Sequence, residues 1–183
     1  DTSGTLIIPA GDTSGTFTIP ILDDQTAESD EVVTIKIKNP SNAYVSATDG
    51  LSDSNNYVTT ARLIITDDDA LPTVSIATTA TGLESVANPD VTVTIDAVSG
   101  RDVSVVYGNT ADGTATGNDN AATDDFQNFT AQNLTISAGS LTNTFSFSVN
   151  NDLLDEVDET VVYAISSPTN ATLGNTTQTY TIQ

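Results

Sequence analysis

The chain has 183 residues, 37% of them hydrophobic, which is enough for one or two small domains with hydrophobic cores. It carries 25 acidic and 4 basic residues, for a net charge of −21, which excludes the cationic surface that nucleic-acid binding needs and disfavours anionic membranes. Histidine and cysteine are absent, which excludes disulfides, zinc fingers, iron–sulfur clusters and Ser–His or Cys–His catalytic pairs. No apolar run approaches the roughly 20 residues of a membrane helix, so membrane insertion is not expected.

Short stretches of alternating apolar and polar residues occur along the whole chain and predict β-strands, because successive side chains of a strand face opposite sides of a sheet. In chain order they cover residues 6–8, 17–21, 33–37, 74–76, 91–95, 103–107, 134–136, 145–149, 161–165 and 180–182. Clusters of Gly, Asn, Asp, Ser and Pro between them supply turns. No window has the 3.6-residue period of an amphipathic helix. The sequence therefore predicts an all-β, antiparallel sandwich fold.

The chain contains an internal repeat. Residues 4–43 align without a gap on residues 132–171, and 15 of these 40 positions are identical. Predicted strands of the second repeat, residues 74–76, 91–95 and 103–107, precede residue 132, but no such strands precede residue 4. We therefore predict a first repeat (residues 1–70) that is the C-terminal half of a sandwich and a second repeat (residues 71–183) that is a nearly complete one. Residues 46–60 are predicted to form a long surface loop, the one candidate for a ligand-recognition tip.

Acidic residues cluster at predicted strand ends. The clusters are Asp23–Asp24 with Glu28, Asp30 and Glu31; their counterparts Asp152, Asp155, Glu156, Asp158 and Glu159; Asp67–Asp69; and Asp119, Asp124 and Asp125. Crowded carboxylates repel one another unless a cation neutralises them, and the few basic residues cannot do so. Oxygen ligands of this kind favour Ca²⁺ over zinc or copper. Acidic loops are often simply solvated, but solvation gives no reason for the same loop spacing to recur in the second repeat.

The combined pattern resembles tandem Calx-beta domains, which occur in sodium–calcium exchangers and in large bacterial surface proteins. The matching stretches are Gly4–Gly11, Asp23–Glu31, Asn39–Pro40 and Ile64–Asp69 in the first repeat, and Val105–Tyr107, Asp112–Ala115, Asp125–Phe126 and Asp155–Glu159 in the second. The resemblance implies tandem immunoglobulin-like β-sandwiches that bind Ca²⁺ at one end. It places the Ca²⁺ ligands on Asp23, Asp24, Glu28, Glu31, Asp67, Asp68, Asp69, Glu84, Asp125, Asp152, Glu156 and Glu159. Asn151 departs from the pattern, because it stands where the first of two paired Asp residues is expected.

The resemblance suggests a structural segment of a secreted or cell-surface adhesin or fibre, stiffened by Ca²⁺. Its partners would be neighbouring repeats of the same protein, either along one chain or between chains as a strand-exchange homopolymer. A regulatory Ca²⁺ sensor is the alternative, and an accessory module of a secreted hydrolase is a weaker one. Catalysis itself is not expected. Carboxylate pairs such as Glu156 and Asp158 exist, but the chain has no Trp and only 5% aromatic residues to bind a sugar.

Overall fold

The computed structural model describes residues 3–43, 57–117, 124–151, 153 and 156–183. In these ranges the chain forms β-strands, which confirms the all-β prediction. The same ranges contain no helix that is long and apolar enough to cross a membrane. The strands are β1 (Glu31–Lys38), β2 (Tyr57–Ile65), β3 (Thr73–Ile76), β4 (Thr79–Gly82), β5 (Asp90–Ile95), β6 (Val103–Asn109), β7 (Gln132–Ile136), β8 (Thr142–Ser146), β9 (Glu159–Thr169), β10 (Thr172–Leu173) and β11 (Thr177–Ile182).

The second repeat folds into a sandwich of two sheets. One sheet has the strand order β10-β3-β5-β8, and the other has the order β4-β11-β9-β6-β7. Neighbouring strands are antiparallel except for the pairs β10–β3 and β11–β4, which are parallel. In β5 every second side chain is buried, as expected for a strand with one face on a core. Aromatic rings fill the space between the sheets, and the centroids of Phe147 and Tyr163 are 4.6 Å apart.

The first repeat forms one two-stranded sheet, in which β1 pairs antiparallel with β2. Residues 6–8 and 17–21, predicted as strands, are not strands in the structure. Their counterparts in the second repeat lie in and beside β7 and β8, which pair with β6 and β5. Among the described residues of the first repeat, no strands correspond to β5 and β6, which supply the backbone partners of β8 and β7 in the second repeat.

A loop was predicted over residues 46–60, but its last four residues belong to a strand, because β2 begins at Tyr57. Residues 46–56 lie outside the described residues. Strand pairing shows how much longer this connection is than its counterpart. Glu31 pairs with Ile65, and Glu159, the counterpart of Glu31, pairs with Ile182. The sequence numbers of the two Glu residues differ by 128 and those of their partners by 117, so the first repeat contains 11 additional residues between its last two strands.

Candidate metal centres

The acidic cluster of the second repeat is built around Asp125, whose side chain is only 8% exposed. Its carboxylate accepts hydrogen bonds from the backbone N–H of Thr116 at 2.5 Å and from the Thr116 hydroxyl at 2.9 Å. The Asp125 N–H donates to the Thr116 carbonyl at 3.0 Å, and the Asp125 carbonyl accepts from the Asn150 N–H at 2.9 Å. Both the backbone and the side chain of Asp125 are therefore held in place by neighbouring loops.

Glu159, the first residue of β9, forms a side-chain hydrogen bond with Asp125. Its hydrogen bond to Asp125, its burial and the negative charges of Asp125 and Glu156 raise the pKa of Glu159 to about 7. Burial opposes ionisation of Asp125, but hydrogen bonds from Glu159, Thr116 and Glu156 hold the pKa of Asp125 below its ordinary value. The Oε2 atom of Glu159 is buried and has no hydrogen-bond partner among the described residues. The cluster is thus short of positive charge and hydrogen-bond donors.

Glu84 lies at the same end of the five-stranded sheet. Gly82, the last residue of β4, pairs with Ile182, and Ile182 pairs with Glu159, so β4 ends about 10 Å from Glu159 across two strand spacings. The N–H of Glu84 donates to the Gln183 carbonyl at 2.9 Å. The structure therefore brings together Asp125, Glu156 and Glu159, with Glu84 at the same sheet end. Asp152, also a predicted ligand, lies outside the described residues.

The acidic cluster of the first repeat lies where β2 leaves the hairpin toward β3. Loss of hydration and the negative charges of Asp67, Asp68, Asp24 and Asp23 raise the pKa of Asp69 above its ordinary value. The Asp67 N–H donates to Oδ1 of Asp30 at 3.1 Å, which joins the connection 66–72 to the loop before β1. Five of the predicted ligands, Asp23–Asp24 and Asp67–Asp69, therefore share one electrostatic environment.

Glu28 and Glu31, the remaining predicted ligands of the first repeat, are exposed. Glu31 begins β1 and pairs with Ile65, so it lies at the strand end from which Asp67–Asp69 follow. Glu28 lies against the second repeat: a Cβ atom added to Gly100 would be 2.8 Å from the Glu28 Cγ. The structure thus places Glu28 at the contact between the two repeats.

Comparison with known proteins identifies the family. The Calx-beta domain profile matches residues 1–69 and again residues 67–182. The chain belongs to the Calx-beta family. No curated protein is significantly similar to it in sequence.

Solved structures that share its fold include "CBD12 from CALX1.2" and "calcium binding domain CBD12 of CALX1.1". Each has 23% sequence identity, and the TM-scores are 0.53 and 0.52. Each match covers 60% of this chain and 43% of the solved chain, so the likeness extends over less than half of those structures.

The donor chemistry of both Calx-beta repeats suits a hard cation, although within the described ranges no group of three or more acidic side chains is arranged to hold a metal ion as it stands. Carboxylate oxygens are the preferred ligands of Ca²⁺. The unpartnered, buried Oε2 of Glu159 is costly without a cation or a donor beside it. The raised pKa of Glu159 reflects its hydrogen bond to Asp125, burial and the nearby negative charges, and a cation beside the pair would offset those charges.

Sequence reasoning missed two residues that position the Calx-beta cluster. Thr116 binds the Asp125 carboxylate through two donors, and the Asn150 side-chain amide donates to the Asp124 carbonyl at 2.7 Å. The signal for Thr116 was present, because it directly follows the Asp112–Ala115 turn that carried the family resemblance. No sequence pattern marked Asn150, whose role depends on a contact across 26 residues.

Proposed function

We propose that this chain is a structural segment of a secreted or cell-surface repeat protein of the adhesin or fibre type, stiffened by Ca²⁺ at its acidic strand ends. The observation that carries this proposal is the hydrogen-bonded Asp125–Glu159 pair, in which the buried Oε2 of Glu159 has no hydrogen-bond partner among the described residues. Such a pair binds a cation by releasing its proton. In the second repeat Asp125, Glu156, Glu159 and Glu84 would hold the ion, whose charge would allow all of these carboxylates to ionise together.

The first repeat supports the stiffening role through the position of its acidic residues. Asp67–Asp69 lie in the seven-residue connection between β2 and β3, which contains no Gly. Asp23–Asp24 add further negative charge to the same place. Mutual repulsion of these carboxylates weakens the junction, and a bound cation removes that repulsion. With Glu28 and Glu31 close by, this cluster would hold Ca²⁺ at the boundary between neighbouring repeats.

Neighbouring repeats of the same protein are the proposed partners, and the net charge of −21 argues against nucleic acid. The apolar side chains that the first repeat leaves exposed support such a partner, since Phe17 is 56% exposed while its counterpart Phe145 is 5% exposed. A strand-exchange homopolymer is the form that this partnership would take between chains.

A melting experiment with matched variants tests the Ca²⁺ site. The melting temperature of the full chain is measured in chelator, in Mg²⁺ and in millimolar Ca²⁺. Selective binding of Ca²⁺ to the folded state stabilises it by about 2.7 kcal/mol at one hundred times the dissociation constant. We expect Glu159→Gln to abolish the Ca²⁺-dependent shift of the second repeat. Glu31→Gln, the equivalent change in the first repeat, should leave that shift unchanged. A melt that does not respond to Ca²⁺, or responds equally to Mg²⁺, would contradict the proposal.

A regulatory Ca²⁺-binding module is the second candidate, and it is supported by the shared fold with a structure named calcium binding domain CBD12 of CALX1.1. The dissociation constant separates the two roles. In EF-hand proteins, sensors bind Ca²⁺ at about 10⁻⁷–10⁻⁵ M and extracellular structural modules at about 10⁻⁴–10⁻³ M. Calorimetric titration with Ca²⁺ should give the weaker range for a structural segment. A micromolar constant or below would favour the sensor.

A further inference from the structure

Ala27 is the one buried residue among the described residues of the first repeat whose side chains are placed, 3–43 and 60–70. Only 1% of it is exposed, although the acidic loop around it is largely open to solvent. Its hydrogen-bond partners belong to the second repeat. The Ala27 carbonyl accepts from the Gly100 N–H at 3.0 Å and from the Ser99 hydroxyl at 3.4 Å, and Ala27 and Ser99 form an isolated parallel β-bridge.

The turn that receives Ala27 connects β5 to β6 and is held rigidly by its own repeat. Ser99 is 1% exposed, and its carbonyl accepts from the Gly139 N–H at 2.9 Å. The Asp102 side chain accepts from the Ala138 N–H at 2.8 Å, and the Asp102 carbonyl accepts from the Asn170 side chain at 2.8 Å. These contacts lie entirely within the second repeat, so the turn has hydrogen bonds that do not depend on the first repeat.

Gly100 lies directly against the side chain of Glu28. A Cβ atom at this position would lie 2.8 Å from both Cγ and Oε1 of Glu28, so Glu28 would have to move. The backbone of Gly100 is not in the left-handed region, so space rather than backbone conformation favours glycine here. The absence of a side chain at position 100 therefore lets Glu28 pack against the turn.

We propose that the turn 97–101 is a docking site for the loop 26–28 of the preceding repeat and that the two form a latch that fixes the relative position of the repeats without metal. The contacts that carry it are uncharged: one carbonyl, one N–H and one hydroxyl. The latch is separate from the proposed Ca²⁺ role, since cation binding neutralises the surrounding carboxylates while the latch sets the position of the backbone. The counterpart of Ala27 in the second repeat is Asp155, so the small side chain is not repeated there.

The latch can be tested by distance measurements between spin labels. The chain has no cysteine, so Thr34→Cys and Thr92→Cys, both at exposed strand positions, place one label on each repeat. The distance distribution is measured in the full chain in the presence of chelator. We expect a single narrow distribution. Gly100→Ala should broaden it, Glu28→Ala alone should not, and the double variant should restore the narrow distribution because the clash has been removed.

Gly4→Ala is the matched control, because a Cβ atom at Gly4 meets nothing within 4 Å. Ala27→Leu gives a second disruption, with Ala10→Leu as its exposed counterpart, and circular dichroism verifies that the second repeat stays folded. A broad distribution in the labelled protein before any further substitution would overturn the latch. So would a narrow distribution in both Gly100→Ala and Ala27→Leu. The Ca²⁺ melt can fail without affecting these results, and the reverse also holds.

Discussion

Asn42 and Asn170 occupy equivalent positions in the two repeats and have nearly the same left-handed backbone, with φ of 58° and 57°. Two further pairs are equivalent in the same way: Asn39 with Ser167, at 51° each, and Gly11 with Gly139, at 95° and 81°. All the described residues with positive φ fall into these three pairs. Since positive φ is costly for residues other than glycine, its recurrence shows that the turns of the second repeat are retained in the first.

Asn170 has this backbone conformation and also contacts the connection between β5 and β6, because its side-chain amide donates to the Asp102 carbonyl at 2.8 Å. We expect Asn170→Gly, which tolerates positive φ, to lower the free energy of unfolding of the second repeat by about 1 kcal/mol through loss of this hydrogen bond. Asn170→Ala should cost about 1–2 kcal/mol more because of left-handed strain. Urea denaturation measures both, and equal losses in the two variants would show that the backbone makes no separate contribution.

The raised pKa of Glu159 predicts how the stability of the second repeat depends on pH in the absence of metal. The folded-state pKa of Glu159 is about 7, above its ordinary value of 4.5. A raised pKa contributes stability that is complete below the ordinary value and is lost as the pH rises through the folded value. We therefore expect the melting temperature in chelator to fall as the pH increases from 5 to 8. Asp125 has a lowered pKa, so its contribution is lost only in more acidic solution.

Glu159→Gln supplies the control for this pH dependence, because glutamine keeps the hydrogen-bond donor and cannot ionise. The variant should melt at nearly the same temperature across this range in chelator. Saturating Ca²⁺ should remove most of this decline in melting temperature in the unsubstituted protein, since the bound cation then replaces the proton on Glu159. A decline of the same size in Glu159→Gln would assign the pH dependence to another group.

The hydroxyl of Tyr163 is a polar group that the core does not satisfy. Tyr163 is fully buried, its OH has no hydrogen-bond partner among the described residues, and burial together with repulsion from Tyr180 raises its pKa. Removing an unsatisfied buried polar group relieves a desolvation cost of about 1–3 kcal/mol. We expect Tyr163→Phe to raise the free energy of unfolding in urea by about 1 kcal/mol on that basis. A loss of stability would mean that the hydroxyl has a favourable contact.

Much of the fold could be predicted because the alternation of apolar residues and the internal repeat can both be read directly from the sequence. Alternation identified the strands that face the core of the second repeat, such as the one ending at Ile95, and the repeat identified the equivalent loops. The short strands β4 and β10 were missed, because Thr79–Gly82 and Thr172–Leu173 have no alternating apolar residues and form by parallel pairing with distant strands. Strands around Ile8 and Phe17 were wrongly expected, because pattern alone does not show whether a strand has a partner.

The candidate sites were predicted as residue types and only partly as a geometry. The spacing placed Glu156 and Glu159 in one acidic cluster and Asp125 in another, and only the family resemblance named all three as ligands. Sequence could not show that Asp125 interacts with both Glu residues, which depends on how the loops fold. The contact of Ala27 with Ser99 was equally hidden, because 72 residues separate two small side chains of ordinary type.

The exposed apolar side chains of the first repeat predict which strands would cover them. Their counterparts in the second repeat belong to its hydrophobic core, together with residues of β3, β5 and β6. The exposed fractions are Leu6 44% against Leu134 8%, Ile8 51% against Ile136 2%, and Phe17 56% against Phe145 5%. Strands equivalent to β5 and β6, the pairing partners of β8 and β7, would cover these side chains in the same way.

A chain in which residues 71–131 are duplicated in front of residue 4 should therefore complete the first repeat. We expect a second cooperative transition in calorimetry and a large loss of binding of a hydrophobic dye, since apolar surface is removed from water. The control carries Val91→Asp and Val105→Asp in the duplicated segment only, which places charges at two positions that are about 2% exposed in the second repeat. That control should retain the dye binding. If the unsubstituted duplicate bound as much dye as the control, the exposed face would not be a site for such strands.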